Sequence, residues 1–306
     1  MTIGDAHVHF FSAGFFQALG AQRPGEASQE PHADVVLPER LGWTPPGSDA
    51  ALAAAWVAEL DRHTVGRAML ISSVPGDEMS VAAAVAAHPD RFAGAFMVNP
   101  AAPDAQARVD AAFSRPGMRT VCLFPAMHHV AVDDARSIAV FEAAARAGRA
   151  VFVHCGVLSV GVRKKLGLSS AFDIRLGDPL AVAAVALRYP SVPVIVPHFG
   201  AGFFREALMA ASMAPNILLD TSSSNSWTRL HPDLALQEVF ARALDVVGPS
   251  RLLFGTDSSF MPRGWQRGVY ETQRAILDTL QVAAADQAAI FAGNLERILR
   301  GEGRRD

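Results

Sequence analysis

The chain has 306 residues, which exceeds an ordinary domain but is a normal length for an α/β barrel, and half of them are hydrophobic. A formal net charge of −3, with no long run of basic residues, argues against a nucleic-acid-binding or anionic-membrane surface. The chain has two cysteines without a CxxC motif, no signal-peptide pattern and no apolar run of the roughly 18 to 20 residues that span a bilayer, which predicts a cytoplasmic protein without a disulfide framework.

Short apolar, β-branched runs recur along the chain and alternate with longer segments of helical periodicity. The predicted strands are Ile3–Phe10, Arg67–Ser72, Ala93–Val98, Thr120–Phe124, Ala150–His154, Val194–His198, Ile217–Thr221 and Arg251–Gly255. The predicted helices are Ala50–His63, Ser80–His88, Ala105–Ser114, Asp134–Ala147, Leu180–Tyr189, Phe203–Ala214, Leu234–Val247, Val269–Leu280 and a closing helix at Ala288–Leu299. Continuously apolar strands that alternate with helices predict a parallel sheet whose outer face is covered by the helices.

Eight strand–helix units in a chain of this length favour an α/β fold of the (β/α)₈ TIM barrel type. The alternative is a doubly wound open sheet, which usually carries a glycine-rich phosphate turn after its first strand. Here His9-Phe10-Phe11-Ser12 stands at that place, so the barrel is the stronger prediction.

Two connections are much longer than the few residues that usually join a strand to the next helix. Residues 13–49 follow the first strand and are rich in Gly, Pro, Ser and charge, and residues 156–179 follow the fifth strand. Because barrel enzymes build their sites at the C-terminal ends of the strands, residues 13–49 are predicted to form a lid or rim. The whole chain, residues 1–306, is predicted to be a single barrel domain.

The first predicted strand carries two histidines, in the run Asp5-Ala6-His7-Val8-His9-Phe10. Side chains in a strand alternate between its two faces, so His7 and His9 are expected to point the same way. Two neighbouring imidazoles with no cysteine nearby form half of a site for a borderline-soft divalent ion such as zinc.

Three further titratable residues stand at the C-terminal ends of apolar strands. His154 ends the fifth strand, His198 ends the sixth, and Asp257 follows the eighth. In a barrel these ends meet at one mouth, together with the two histidines of the first strand. Each residue alone is also compatible with a structural role, but burying four imidazoles and a carboxylate together would be costly without a cation. The joint pattern therefore predicts a metal site.

This combination resembles the amidohydrolase superfamily, in particular the amidohydrolase family 2 branch. That branch includes aminocarboxymuconate-semialdehyde decarboxylase, related aromatic-acid decarboxylases and several hydrolases. The resemblance extends over nearly the whole chain. Its carriers are Asp5-Ala6-His7-Val8-His9-Phe10, Val153-His154-Cys155-Gly156, Pro197-His198-Phe199-Gly200-Ala201-Gly202, Leu219-Asp220-Thr221-Ser222, Leu253-Phe254-Gly255-Thr256-Asp257 and Gly293-Asn294-Leu295-Glu296-Arg297-Ile298-Leu299.

The resemblance implies a mononuclear metal site with His7, His9, His154 and Asp257 as ligands. It implies a catalytic role for His198, which would orient or deprotonate the metal-bound water, and Asp257 could also shuttle the proton. Binuclear relatives place a carboxylated lysine or a glutamate at the end of the fourth strand, whereas this strand ends in Leu123-Phe124-Pro125-Ala126. One divalent ion is therefore expected, zinc in the first place and manganese as the alternative.

Such an ion lowers the pKa of a bound water to about 7, which provides hydroxide at neutral pH. The leading prediction is thus a metal-dependent hydrolase that uses a metal-activated water on a small carbonyl compound, ester, lactone or amide. The alternative is a non-oxidative, metal-dependent decarboxylase of an aromatic or unsaturated carboxylic acid. A non-catalytic metal-stabilised scaffold is disfavoured, because it would close its coordination sphere and would not need His198. The resemblance also implies a homodimer.

The residues that would contact the small-molecule substrate are less well defined by the sequence. Arg175 in the long loop after the fifth strand and Arg263 just beyond Asp257 are candidates for binding a substrate carboxylate. His128 after the fourth strand and Trp227 after the seventh could face the pocket, Trp227 against a flat ligand. Ordinary surface or loop positions are the alternative for all four.

Overall fold

The computed structural model describes residues 2–23, 25, 30–223, 225–260 and 263–301. Its eight strands form one parallel sheet in which each strand pairs with the next along the chain. The strands are β1 (Ile3–Phe10), β2 (Val65–Ser72), β3 (Phe92–Met97), β4 (Met118–Leu123), β5 (Ala150–Val153), β6 (Val194–Val196), β7 (Ile217–Asp220) and β8 (Leu252–Leu253). This order confirms the predicted (β/α)₈ barrel.

The barrel closes between β1 and the segment that begins at the end of β8. The amide of Ala6 donates to the carbonyl of Phe254 at 2.8 Å, and the amide of His9 donates to the carbonyl of Ser258 at 2.7 Å. Between these two bonds, the amide of Asp257 donates to the carbonyl of His7 at 2.9 Å. The regular part of β8 is shorter than predicted, because the chain beyond Leu253 pairs with β1 through these separate bonds.

Helices cover the outside of the sheet. They are α1 (Ala13–Ala21), α2 (Ala33–Arg40), α3 (Asp49–Arg62), α4 (Glu78–Ala87), α5 (Ala105–Phe113), α6 (Pro125–His128), α7 (Ala135–Ala147), α8 (Gly161–Lys165), α9 (Pro179–Arg188), α10 (Phe204–Met213), α11 (Leu236–Val247), α12 (Arg267–Thr279), α13 (Ala284–Ala288) and α14 (Asn294–Leu299). A π-helical turn at Ala289–Gly293 joins the last two. None of the helices in the described part of the chain is long and apolar enough to cross a membrane.

The long segment after β1 contains two helices, α1 and α2, that the composition of residues 13–49 did not predict. Residues 24 and 26–29 of this segment lie outside the described residues. Its side chains Phe15, Phe16, Leu19 and Leu37 form a small apolar cluster together with Val74, Val162 and Leu168, which follow β2 and β5. The segment is therefore anchored by its own hydrophobic residues, and its role as a lid stays a prediction.

The alternation of side chains along the strands divides the core into two layers. In β2, Met69 and Ile71 point into the barrel, whereas Ala68 and Leu70 pack against the surrounding helices. Phe152 of β5 also lies inside the barrel, and its ring is 5.3 Å from that of His7. The apolar side chains that fill the barrel thus reach as far as His7, which is the first polar side chain above them.

Candidate metal centre

Three of the predicted ligands meet at the seam where the barrel closes. His7 and His9 lie on the same face of β1, and the backbone bond between Asp257 and His7 holds the aspartate beside them. Asp257 Oδ1 is 3.0 Å from His9 Nε2 and 3.7 Å from His7 Nε2. One ligand atom from each of the three residues lies within 4.8 Å of the other two, which is the spacing that a single metal ion requires.

The second nitrogen of each β1 histidine is hydrogen-bonded to a residue at the C-terminal end of another strand. His7 Nδ1 donates to Asp220 Oδ2 at 2.6 Å, and Asp220 is the last residue of β7. His9 Nδ1 is 2.7 Å from Ser73 Oγ, whose own proton goes to the carbonyl of Ile71 at 3.2 Å. Both Nδ1 atoms are therefore donors, and each Nε2 faces the common point, where it can offer a lone pair once it carries no proton. This arrangement orients an imidazole for metal binding and increases its basicity.

His154 and His198 border the same buried region. The ring of His198 is 5.1 Å from that of His7 and 5.5 Å from that of His154. His154 is buried, and its Nδ1 has no hydrogen-bond partner among the described residues. His154 is not part of the group of ligand atoms that lie within 4.8 Å of one another, but its unpartnered nitrogen is free to serve as a further ligand. Two Nε2 atoms, a carboxylate oxygen and an unpartnered imidazole nitrogen fit a zinc or manganese ion.

The charges of the site suit metal binding. Burial alone would raise the pKa of Asp257, but its hydrogen bond to His9 and the charge of His7 hold that pKa well below its ordinary value. Burial lowers the pKa of His154 and also that of His198, so both imidazoles are neutral at neutral pH. Against the same desolvation, Asp220 raises the pKa of His7 to about 9. The site thus presents an anionic carboxylate, the neutral imidazoles of His154 and His198, and a protonated His7, from which a cation would have to displace one proton.

The backbone is strained at two of these residues. His198 has a φ of 54° and Asp257 a φ of 56°, both in the left-handed region. Each such non-glycine position costs on the order of 1–3 kcal/mol and persists only when its surroundings enforce it. Here the enforcing contacts are the closure bonds at Asp257 and the tight turn after β6. Strain of this kind is typical of functional sites.

Arg263 is the predicted substrate residue that the structure brings near the centre. Its guanidinium donates to the carbonyl of Asp257 at 3.3 Å and to Ser259 Oγ at 3.1 Å. It also lies 5.0 Å from the centre of the Phe260 ring. Burial, and to a lesser degree the charges of His7 and Arg263, lower the pKa of His9. A positive charge therefore stands beside the candidate metal site.

The other three predicted substrate residues are placed differently. His128 ends α6 and is half-buried; its Nδ1 has no hydrogen-bond partner in the described part of the chain, and burial lowers its pKa to about 4. Arg175 is 87% exposed, and its guanidinium is already forked onto Asp173 at 2.7 and 2.8 Å. Trp227 is only 3% exposed and packs in the core with its Nε1 on Asn225. The structure gives the predicted substrate contacts of Arg175 and Trp227 no support, because one faces solvent and the other is covered by protein.

Aromatic rings line the mouth between the segment after β1 and the segment after β8. Trp43 stacks on Phe260 with ring centres 3.7 Å apart, and the ring of Phe11 lies 5.8 Å from that of His9. The ammonium of Lys165, from the β5 insertion, lies 5.6 Å from the Trp43 ring. Residues from three loops thus meet above the histidines, which no sequence pattern indicated.

Two further polar residues of the site, Asp220 and Ser222, belong to the run Leu219-Asp220-Thr221-Ser222, for which the sequence predicts no role. Asp220 stands at the end of an apolar strand, which is the same signal that identified His154 and His198, and it could have been recognised on that ground. Ser222 is fully buried and lies between His7 and His198. Nothing in the sequence distinguishes this serine from an ordinary loop residue.

Comparisons with known proteins agree with this geometry. A family model described as amidohydrolase matches residues 5–301. No curated protein matches the chain. The fold is similar to that of 5-carboxyvanillate decarboxylase from Sphingomonas paucimobilis, at 18% identity and a TM-score of 0.65, with 98% of this chain and 99% of that chain covered.

Two further solved structures share the fold. A probable 2-pyrone-4,6-dicarboxylic acid hydrolase from Acinetobacter baumannii matches at 14% identity and a TM-score of 0.62, covering 98% of this chain and 100% of that one. An amidohydrolase from Burkholderia multivorans with bound zinc matches at 17% identity and a TM-score of 0.62, covering 98% and 99%.

Proposed function

The chain belongs to the amidohydrolase family, and we propose that it is a hydrolase of that family with one catalytic divalent metal ion. Its substrate is a small carbonyl compound, ester, lactone or amide. The observation that carries the proposal is the convergence of His7 Nε2, His9 Nε2 and Asp257 Oδ1 on one point at the mouth of the barrel. The similar fold of a probable pyrone dicarboxylic acid hydrolase supports this reaction class.

His7, His9 and Asp257 would hold the ion, and His154 would complete the set through its unpartnered nitrogen. When bound, zinc or manganese would supply a Lewis acid and lower the pKa of a bound water to about 7. The end of β4 offers Phe124 and Pro125 in place of an acid or a lysine, which supports one ion. Metal analysis of the purified protein should give about one equivalent of zinc or manganese per chain; a value near two, or none, would contradict this part of the proposal.

The residues around the ion have distinct tasks in this proposal. His198 is neutral and buried beside the ligands, so it can accept a proton from the attacking water. Asp257 stays anionic and can pass a proton onward. Arg263 lies beside the ligands on the open side and is suited to binding an anionic group of the substrate. Water is partly excluded from above by the stacked rings of Trp43 and Phe260.

A second candidate function is non-oxidative decarboxylation of an aromatic or unsaturated acid. It is supported by the similar fold of 5-carboxyvanillate decarboxylase and by the aromatic rings at the mouth, against which a flat acid could lie. In this reaction Arg263 would hold the carboxylate or a neighbouring anionic group. The two candidates use the same ligand set and differ in the products.

The decisive experiment is a substrate panel on the metal-loaded protein, with product analysis. Lactones and esters that carry a carboxylate are tested for ring opening or acid release, and aryl carboxylic acids are tested for CO₂ release. Hydrolysis that is lost in His198→Gln but retained in His231→Gln supports the proposal, because the His231 ring donates from Nε2 to the carbonyl of Gly202 and is not one of the residues assigned to the site. CO₂ release without hydrolysis would assign the second function. Sedimentation of the same sample tests the expected homodimer.

A further inference from the structure

Ser222 lies two residues beyond the end of β7, and its hydroxyl stands among three polar groups of the site. Ser222 Oγ is 2.8 Å from His198 Nδ1, 3.0 Å from Asp220 Oδ2 and 3.1 Å from His7 Nδ1. The side chain is fully buried. Bulk water does not reach the hydroxyl, so its single proton must be donated to one of these three neighbours.

Counting protons around Ser222 leaves one favourable arrangement. The Asp220 carboxylate can only accept, and it already accepts from His7 Nδ1 at 2.6 Å. If the hydroxyl donates to Asp220, its lone pair faces His198 and accepts from Nδ1–H of that ring. If the hydroxyl donated to His198 instead, its lone pairs would face a buried carboxylate oxygen at 3.0 Å. Two acceptors in contact in a low-dielectric site are costly, so the first arrangement is favoured.

The position of Ser222 is fixed by its surroundings, so the hydroxyl cannot turn away. The Ser222 amide donates to Asp220 Oδ1 at 2.7 Å, and its carbonyl accepts from Asn225 Nδ2 at 2.7 Å. Gly255 packs against this turn so closely that a β-carbon there would lie 3.0 Å from the Ser222 β-carbon and 2.6 Å from Asp220 Oδ1. These contacts hold Ser222 Oγ close to both Asp220 Oδ2 and His198 Nδ1.

We propose that Ser222 is a positioning residue that fixes the neutral His198 ring with its proton on Nδ1 and a lone pair on Nε2. The meaning of this tautomer for catalysis rests on the proposed function. With a lone pair on Nε2, His198 accepts a proton from water or a substrate hydroxyl and cannot donate a hydrogen bond to a substrate oxygen. The tautomer therefore selects the role of general base over that of polarising a carbonyl.

The experiment is ¹⁵N NMR of the histidine side chains at a pH of about 8, where ordinary imidazoles are neutral. The His198 signals are assigned by their loss in His198→Gln. We expect a protonated, pyrrole-type Nδ1 and an unprotonated, pyridine-type Nε2 in both the metal-stripped and the zinc-loaded protein. An Nε2–H tautomer in the wild type overturns the proposal without any variant having to fold. An Nδ1–H tautomer that forms only with zinc also overturns it, because the metal would then set the proton.

Variants at this turn test whether the serine is the cause. Ser222→Ala should lose the Nδ1–H preference, Ser222→Thr should restore it, and Ser223→Ala, at the neighbouring position, should leave it unchanged. Retention of the Nδ1–H tautomer in Ser222→Ala would contradict the assignment. Because the readout is a spectroscopic signature of the ring, it stands apart from the substrate panel. The tautomer can be confirmed even if the protein proves to be a decarboxylase, and it can fail even if hydrolysis is found.

Discussion

Asp77 lies at the N-termini of two helices, and its burial gives a pH dependence of stability that can be worked out from the structure. The residue is 6% exposed; its carboxylate accepts from Ser12 Oγ, which caps α1, and from Ser80 Oγ of α4. Desolvation raises its pKa from 3.8 to about 6 despite both hydrogen bonds. Ionised Asp77 is therefore less favourable in the folded protein than in the unfolded chain.

The direction and the size of this pH dependence follow from the linkage between proton binding and folding. A raised folded-state pKa means that the contribution of Asp77 to stability is fully present below pH 3.8 and is lost as the pH rises through about 6. The rise in the Asp77 pKa corresponds to a loss of about 3 kcal/mol in the free energy of unfolding. About 2 kcal/mol of this loss occurs between about pH 4 and about pH 7. The attraction of a carboxylate to a helix N-terminus offers only ~0.3–1 kcal/mol in the other direction, so desolvation dominates.

The perturbation is Asp77→Asn, which keeps the shape and removes the titration. Urea unfolding of variant and wild type is compared across this pH range, and we expect the variant to gain about 2 kcal/mol relative to wild type from acid to neutral pH. Taking the difference cancels other groups, including Asp5, whose buried carboxyl has a pKa raised to about 6. Asp134→Asn is the control: Arg136 lowers the pKa of that exposed aspartate, so its contribution to stability is nearly complete above pH 3.8 and the difference should stay nearly flat from about pH 4 to about pH 7. A difference for Asp77→Asn that is flat with pH would refute the reasoning.

Two further predictions concern the site and the loop beside it. His154→Ala should lose bound metal, whereas His198→Ala should keep it and lose turnover; equal metal loss in elemental analysis of both variants would contradict the assigned roles. Gly264→Ala should lower the free energy of unfolding by about 1–3 kcal/mol, because its φ is +64° and a β-carbon there would overlap Glu59 Oε1. Gly268→Ala, where the added β-carbon meets nothing within 4 Å, should unfold in urea no earlier than wild type.

The strand ends could be predicted from the sequence because each combines two signals, an apolar run and a polar residue at its end. His154 and His198 each follow an apolar run and are themselves polar, so both the strand and its last residue are visible in a single pattern. The alternation of side chains then places His7 and His9 on one face of β1. These local rules, combined with barrel topology, were sufficient to predict that His7, His9 and Asp257, from opposite ends of the chain, lie together.

The remaining features depend on contacts between segments that no local pattern records. Ser222 matters because three groups surround its hydroxyl, and Trp43 because it stacks on Phe260 from another loop. The same reasoning failed to separate Arg263, near the ligands, from Arg175, which is paired with a neighbour on the surface. An arginine in a loop after a strand looks alike in both cases, since the orientation of its side chain is set by the folded loop.

The candidate metal site and the closure of the barrel are one structural feature. Asp5 Oδ1 accepts from the amides of His7 and Thr256, and its Oδ2 accepts from Thr256 Oγ1 and Trp265 Nε1. This single carboxylate joins the first strand to the segment after the last one. The ligands therefore come together only when the two ends of the barrel meet, and a metal that binds the closed form stabilises closure by mass action. A site built at this seam requires the whole barrel, which explains why its ligands span the chain from the first strand to the last.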